Sequence, residues 1–396
     1  MAILETDDGE IFLQCESPPA LCQLGDCRIR AMGWSVRRFP LTKAVPLAIS
    51  RGVTAQVEHL ELTCSRDGCI GRGETGGFDT GHRGFSTDQL ALELEALMPS
   101  LADVDPADRQ QLAPLLLPLS PPARCAVDLA LWDWWGQRLG QPVWRVFGLD
   151  GSRCIATSVT LGLGSVDEVL SRLKRWWRQL PATRIKLKLG SADGCDHDRV
   201  LLAAVAQELQ EYQQQHQQEL ELQVDANGGW TLEETKAMQV SLQSAGVVLL
   251  EQPMAAVLDP DQDTAAFAAL KPHCAIPLVA DESCWDLHDL LRLAPHVDGV
   301  NLKLLKTGGL TEAWLMAQVA QRLNLDLMIG CYSDSVLLNG AAAQLLPLIR
   351  WPDLDSHLNL LDDPYVGLAL EGDQLCAPIA PGLGITRRGT DPNNRS

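Results

Sequence analysis

After Gly151 the chain settles into a rhythm that few folds accommodate. Strand-like stretches at 154–162, 184–189, 220–225, 247–251, 276–281, 299–304, 325–330 and 349–353 alternate with amphipathic segments such as SVDEVLSRLKRWWRQL, TLEETKAMQVSLQSAG and GGLTEAWLMAQVAQRLN. Eight strands separated by seven helices predict an α/β fold. The specific form is a (β/α)7β modified TIM barrel over 151–363, lacking its last regular helix. Upstream, 31–150 reads differently. MGWSVRRFPL, AQVEHLELTCS and CIGRGET alternate like strands, with Asp67-Gly68 as a hairpin turn, and 88–149 is helical. That pattern predicts a small α+β capping domain, completed by the Gly/Pro-rich tail 364–396 packing back on it. Residues 1–30 form an N-terminal extension with no clear period and no assigned role.

Composition excludes several function classes. The chain carries 51 acidic against 32 basic residues, a formal charge of −19. Nucleic acid and anionic membrane surfaces are therefore not expected partners. No apolar run approaches the roughly 20 residues of a membrane span. The start MAILETDDGE lacks a secretory signal, so a cytoplasmic protein is expected, with a small molecule as its partner and a homo-oligomer left open. The twelve cysteines show no C-x-x-C pair, and Cys15, Cys22 and Cys27 match no zinc spacing. Reduced, mostly buried thiols are the expectation.

In such barrels chemistry sits where the strands end. Side chains alternate along a strand, so in RIKLKLG Lys186 and Lys188 share one face and Ile185 and Leu187 the other. The third strand ends in Asp225, the fourth in Glu251 and the fifth in Asp281; the sixth carries Lys303, and the eighth runs into Asp353 and Asp355. Each has a plainer reading. DANGG is a common turn, Glu251 can be a solvated strand end, Asp281 a helix cap and Lys303 a snorkelling lysine. Together they are harder to dismiss, because burying so many charges on one rim without function is costly. Three hard oxygen ligands on rigid elements suit Mg²⁺.

The ordered set KLKLG, VDANGGW, LLEQP, VADES, VNLKLLKTGG and IGCYSDS resembles the enolase superfamily, in its muconate-lactonizing-enzyme subgroup. PLTKAVPLAISRG and DGCIGRGET resemble that family's capping domain, and PDLDSHL resembles the Asp-x-Asp signature of its dipeptide epimerases. The resemblance implies one Mg²⁺ on Asp225, Glu251 and Asp281. It implies Lys188 and Lys303 as opposed acid/base residues and Asp353 and Asp355 as holders of a substrate ammonium. The chain departs from the pattern at Asp334, where a glutamate is usual, and in the extra stretch VLDPDQD.

These roles fit elementary chemistry. A proton α to a carboxylate leaves only if the second charge it creates is stabilised, which a divalent cation does. A lysine accepts that proton only if its pKa falls toward about 7–8, and Lys186, a like charge beside Lys188, is expected to help. The implied reaction is two-base epimerisation of a dipeptide at its C-terminal residue through a metal-stabilised enediolate. Muconate cycloisomerisation, o-succinylbenzoate formation and N-acylamino acid racemisation are the alternatives on the same scaffold. Two carboxylates for an ammonium favour the dipeptide. Arg51, in the loop resembling the family's specificity loop, is a candidate for pairing an acidic substrate side chain.

Overall fold

The computed structural model describes residues 2–5, 11–14 and 32–389. Ala2–Glu5 pairs antiparallel with Ile11–Gln14; Cys15, Cys22 and Cys27 and the last residues of the tail lie outside the described residues.

The cap is a meander of Gly33–Ile49, Gly52–Arg66 and Cys69–Gly76, paired antiparallel. Its second turn has Asp67 at φ 50° and Gly68 at φ 79°, the left-handed pair that a tight hairpin needs. The helix Pro121–Leu139 lies across this sheet. It approaches so closely that a Cβ on Gly71 or Gly73 would collide with the carbonyls of Ala130 and Ala126. Leu60, Leu62, Leu90, Leu94, Val127 and Trp134 fill the space between. Within the stretch 88–149 expected to be helical, Gly140 at φ 65° ends Pro121–Leu139, and a short helix resumes at Val143–Val146. The sequence pattern also missed a small hairpin, Phe78–Asp79 with Gly84–Phe85.

The barrel has the eight parallel strands that the rhythm predicts. They are Ser158–Leu161, Arg184–Lys188, Glu221–Asp225, Val247–Glu251, Leu278–Ala280, Gly299–Leu302, Asp326–Gly330 and Trp351–Asp353, hydrogen-bonded in chain order. Leu354 N–H to Thr157 Oγ1 (2.9 Å) and Ser158 Oγ to Asp353 (2.5 Å) draw the eighth strand to the first. Capping boxes fix two helix starts, Ser165 with Glu168 and Thr231 with Glu234. Alternation sorts the strands' side chains. Ile185, Leu187, Val224, Leu250, Val300 and Leu302 face the helices in one continuous core. Leu249, Val279, Met328 and Trp351 form a separate apolar floor inside, and the charged residues stand above it.

Two expectations are corrected. The stretch 154–162 is two strands: Ile155–Ala156 leaves the barrel and pairs antiparallel with Gln374–Cys376 of the tail. That pairing brings Cys154 and Cys376 together as a disulfide, so the cysteines are not all reduced thiols. Of the described free cysteines, Cys64, Cys125 and Cys284 are buried and Cys69, Cys195, Cys274 and Cys331 only half-buried. In the VLDPDQD stretch Asp259 caps the helix Pro260–Leu270 and Asp263 pairs with Arg292 at 2.9 Å. The tail also reaches the cap, where Leu383 N–H donates to Asp133 Oδ1 at 2.8 Å.

Candidate active site

Asp225, Glu251 and Asp281 end the third and fourth strands and follow the fifth, and none is exposed. One carboxylate oxygen from each lies within 4.8 Å of the others. Three carboxylates this close in a buried site repel one another, and the surrounding groups show how that is managed. Burial opposes the charge of Asp225, but Lys188 and Lys186 hold it below the usual carboxylate range. Asp281 is held low in the same way by Lys303 and Lys306. Burial and neighbouring Asp225 push Glu251 up. Glu251 Oε1 accepts from Asn301 Nδ2 at 2.7 Å, whereas Oε2 has no aligned donor. A carboxylate oxygen with no aligned hydrogen-bond donor, set beside two further carboxylates, belongs to the donor set of a hard divalent cation. The residues therefore fit the metal that the sequence implies.

The lysines stand on either side of this trio. Lys188 Nζ is 2.6 Å from Asp225 Oδ2 and Lys303 Nζ is 2.7 Å from Asp281 Oδ2. Their strands are second and sixth of eight, opposite one another around the barrel. Lys303 lies 4.5 Å from the centroid of the Tyr332 ring. Burial works against its charge, but Asp281 and the other anionic neighbours hold its ammonium above the usual range.

Lys186 is not a bare neighbouring cation. Its Nζ is 2.7 Å from Asp353, 3.1 Å from Asp225 and 2.5 Å from Glu251 Oε2, out of line for a hydrogen bond to the last. Despite burial, Asp353, Glu251 and Asp225 hold it above the usual lysine range. Its charge is spent on tying the eighth strand to the metal-ligand strands.

Asp353 is thus already engaged, by Lys186 and by Ser158. Asp355 is freer: Oδ2 accepts Thr160 N–H at 2.7 Å, and Oδ1 meets only the Cys331 thiol at 4.0 Å. The strand stops at Asp353, and Asp355 (φ −98°, ψ −7°) opens a 3-10 turn, so turn geometry rather than strand alternation aims it at the first strand. Burial, with Asp353 beside it, raises Asp355 to about 6. Asp334 is buried; Tyr332 N–H donates to Oδ2, Oδ1 has no partner, and burial raises it to about 6.

The cap closes over the rim. Arg51, at the tip of the first cap hairpin, donates to the Asn227 carbonyl at 2.8 Å and pairs with Glu282 at 2.9 Å. Beside it a cleft of about 460 Å³ is lined by Ser50, Arg51, His82, Ser191, Gly229 and Glu282. On the Lys303 side, Phe78 of the cap stacks on Tyr332 (4.2 Å between centroids) and on Trp285 (5.9 Å), with Phe85 adjoining. Sequence reasoning missed these rings, and also Asn301 and Lys306. Lys306 is fully buried and donates to the Asp281 carboxylate and carbonyl and to the Asn301 carbonyl. The signal for Lys306 was its place three residues, one helical turn, beyond Lys303.

A parallel barrel with this acidic and basic rim beneath an antiparallel cap defines an enolase-like enzyme architecture. Residues 168–390 match the model of the enolase C-terminal domain-like family, and 33–148 match that of the mandelate racemase / muconate lactonizing enzyme N-terminal domain. The chain belongs to the mandelate racemase / muconate lactonizing enzyme family of the enolase superfamily. It is 33% identical to a hydrophobic dipeptide epimerase of Flavobacteria bacterium (strain MS024-2A), over 89% of this chain and 97% of that one. It is 34% identical to a hydrophobic dipeptide epimerase of Roseobacter litoralis, over 87% and 96%. A solved dipeptide epimerase from Methylococcus capsulatus, complexed with Mg and dipeptide L-Arg-D-Lys, superposes with a TM-score of 0.79 at 26% identity, covering 90% of this chain and 100% of that one. Among the described residues no helix is long and apolar enough to cross a membrane.

Proposed function

We propose that this chain is a Mg²⁺-dependent dipeptide epimerase that inverts the α-carbon of the C-terminal residue. The observation that carries the reading is the pair of buried lysines, Lys188 and Lys303, held on opposite flanks of one carboxylate trio. Asp225, Glu251 and Asp281 would hold the cation, which supplies electrostatic stabilisation for the charge that builds on the substrate carboxylate. Lys188 and Lys303 face the α-carbon from either side. One removes its proton and the other delivers one to the opposite face, and the roles exchange for the other epimer. Lys306 and Asn301 fix Asp281 and Glu251, and Lys186 holds Asp353 against the same cluster. Asp355, with its free Oδ1, receives the α-ammonium of the N-terminal residue. An N-acylated amino acid or a diacid has no α-ammonium to offer there, which favours the dipeptide over the other reactions of the scaffold.

Two features favour an apolar side chain on the substrate. Phe78, Phe85, Trp285 and Tyr332 form an aromatic wall beside Lys303, and the Arg51 guanidinium is already matched by Glu282. The hydrophobic dipeptide epimerases among the relatives agree. The setting in this reading is the cytoplasm.

The test is a dipeptide library incubated with enzyme and Mg²⁺ in deuterated water and followed by mass spectrometry. L-Ala-L-Leu-like dipeptides should gain one deuterium at the C-terminal α-carbon as the epimer appears. No uptake by any dipeptide in the library would remove the reading.

A further inference from the structure

The catalytic reading leaves one buried cation unused. Lys43 of the first cap strand is 6% exposed, and among the described residues its ammonium has no hydrogen-bond or ion-pair partner. Every other lysine around the site is matched: Lys186, Lys188, Lys303 and Lys306 each touch a carboxylate. The Lys43 stem is buried but its tip is not sealed from solvent, which leaves the ammonium open to an acceptor that a ligand brings.

The backbone explains where it points. Pairing between the first two cap strands is interrupted between Thr42 and Leu47. There the first strand turns to the chain leaving the eighth barrel strand instead. Thr42 N–H donates to Asp362 (2.7 Å), Lys43 forms an isolated bridge with Leu360, and Asn359 bonds both the N–H (3.0 Å) and the carbonyl (2.7 Å) of Val45. This lays Lys43 against the chain that leaves the eighth strand, just past the turn that Asp355 opens. The acidic groups whose field it feels are Cys331, Asp355 and Asp334, which act against the burial that lowers its pKa.

Lys186 is shared among Asp353, Asp225 and Glu251, whereas Lys43 brings a further positive charge to the carboxylates of Asp355 and Asp334. A second cation, on the side chain of an N-terminal Lys or Arg, would lie against that charge.

Resting on the dipeptide reading above, we infer that Lys43 is a specificity-determining residue for the N-terminal half of the substrate. Its ammonium donates to an acceptor there, the peptide carbonyl being the one that every dipeptide offers, and its fixed charge excludes a cationic N-terminal side chain. The repulsion matters as much as the bond.

The experiment compares L-Ala-L-Leu with L-Lys-L-Leu on the Mg²⁺-loaded enzyme at pH 8, by α-deuterium uptake and by calorimetric Kd, for wild type, Lys43→Met and Lys43→Arg. Wild type should favour Ala-Leu. Lys43→Met should raise KM for Ala-Leu about tenfold with kcat changed far less, and narrow the preference over Lys-Leu by about tenfold or more, each factor of ten being one pair interaction of ordinary size. Lys43→Arg should retain the preference. An unchanged ratio in Lys43→Met overturns the inference. So does an equal loss on both dipeptides, with a lowered melting temperature that Lys43→Arg fails to restore. Wild type inert towards every dipeptide overturns the epimerase reading itself, a result distinct from either of these.

Discussion

Lys188 and Lys303 are each anchored on a different end of the same carboxylate trio, Lys188 on Asp225 at 2.6 Å and Lys303 on Asp281 at 2.7 Å. Two bases so placed address opposite faces of one α-carbon, and removing one should leave the other competent toward a single epimer. Lys188→Ala and Lys303→Ala should therefore each lower epimerisation by about 10³-fold, within the range for loss of a general acid or base. Each should still exchange the α-hydrogen of one epimer for deuterium, and the two variants should prefer opposite epimers. Proton NMR of the L,L and L,D dipeptides in deuterated water reads this directly. The same epimer exchanged by both variants would contradict the opposed arrangement.

Lys186 is the hub that offsets repulsion when no cation sits on the trio. Lys186→Met leaves Asp225, Glu251 and Asp353 without their shared countercharge. Breaking a buried charge set in this way costs about 3–5 kcal/mol. The variant should thus unfold at markedly lower denaturant after chelation, and Mg²⁺ should recover a larger share of stability in it than in wild type. Paired urea titrations with EDTA and with Mg²⁺ give the comparison. Equal recovery in the two proteins would show that Lys186 does not stand in for the missing charge.

Arg51 joins the tip of the cap to Asn227 and Glu282 on the barrel. If its role is to hold the cap down, Arg51→Met should weaken all dipeptides alike, raising KM for Ala-Leu and Ala-Glu by a common factor of about ten, one ordinary charged pair. Selective loss of Ala-Glu would instead mean that the guanidinium leaves Glu282 to take an acidic side chain.

How these residues became legible follows from periodicity. Strand alternation with a helix after each strand exposes any inward charge as a break in an apolar pattern, and that is why Lys186, Lys188, Asp225, Glu251 and Asp281 could be read off one sequence. What stayed hidden depends on contacts across large separations. Nothing local says that Arg51 finds Glu282, that Lys43 lies against the chain leaving the eighth strand, or that Asp353 is held by Lys186 before any ligand arrives. The stretch 154–162 looks like one strand because both halves are buried; only the tail, accepting Thr157 N–H on the Asp373 carbonyl at 3.0 Å, divides it. Lys306 escaped because it belongs to a helical turn following a strand, where the period changes from two to nearly four.

The Cys154–Cys376 bond spans 222 residues and ties the tail to the first barrel strand. A tether over so long a loop restricts the unfolded chain strongly, by about 5 kcal/mol in the loop-entropy model and commonly about 2–4 in practice. Cys154→Ser should lower the melting temperature under oxidising conditions and make it insensitive to dithiothreitol, whereas wild type should lose stability on reduction. Alkylation with and without prior reduction, read by intact mass, should differ by at least two thiols in wild type. A wild-type melting temperature indifferent to reductant would show that the tether adds nothing.

Asp133 joins cap and tail through one carboxylate. Oδ2 accepts Arg72 N–H at 2.9 Å and Oδ1 accepts Leu383 N–H at 2.8 Å, in a position 1% exposed. Burial outweighs these bonds and lifts its pKa from 3.8 to about 6. The folded chain consequently retains a proton that the unfolded chain releases first. Stability from this group is full below about pH 4, falls as pH rises to about 6 and stays at the lower level above, a change of about 3 kcal/mol for a shift of this size. Asp133→Asn removes the titration but sets an amide N–H₂ against one of the two backbone donors. The variant should be less stable at pH 4, and the gap to wild type should narrow between pH 4 and 6. Urea midpoints measured across that interval decide the matter, since a gap that widens with pH would mean that the carboxylate is ionised throughout and the backbone bonds prevail over burial.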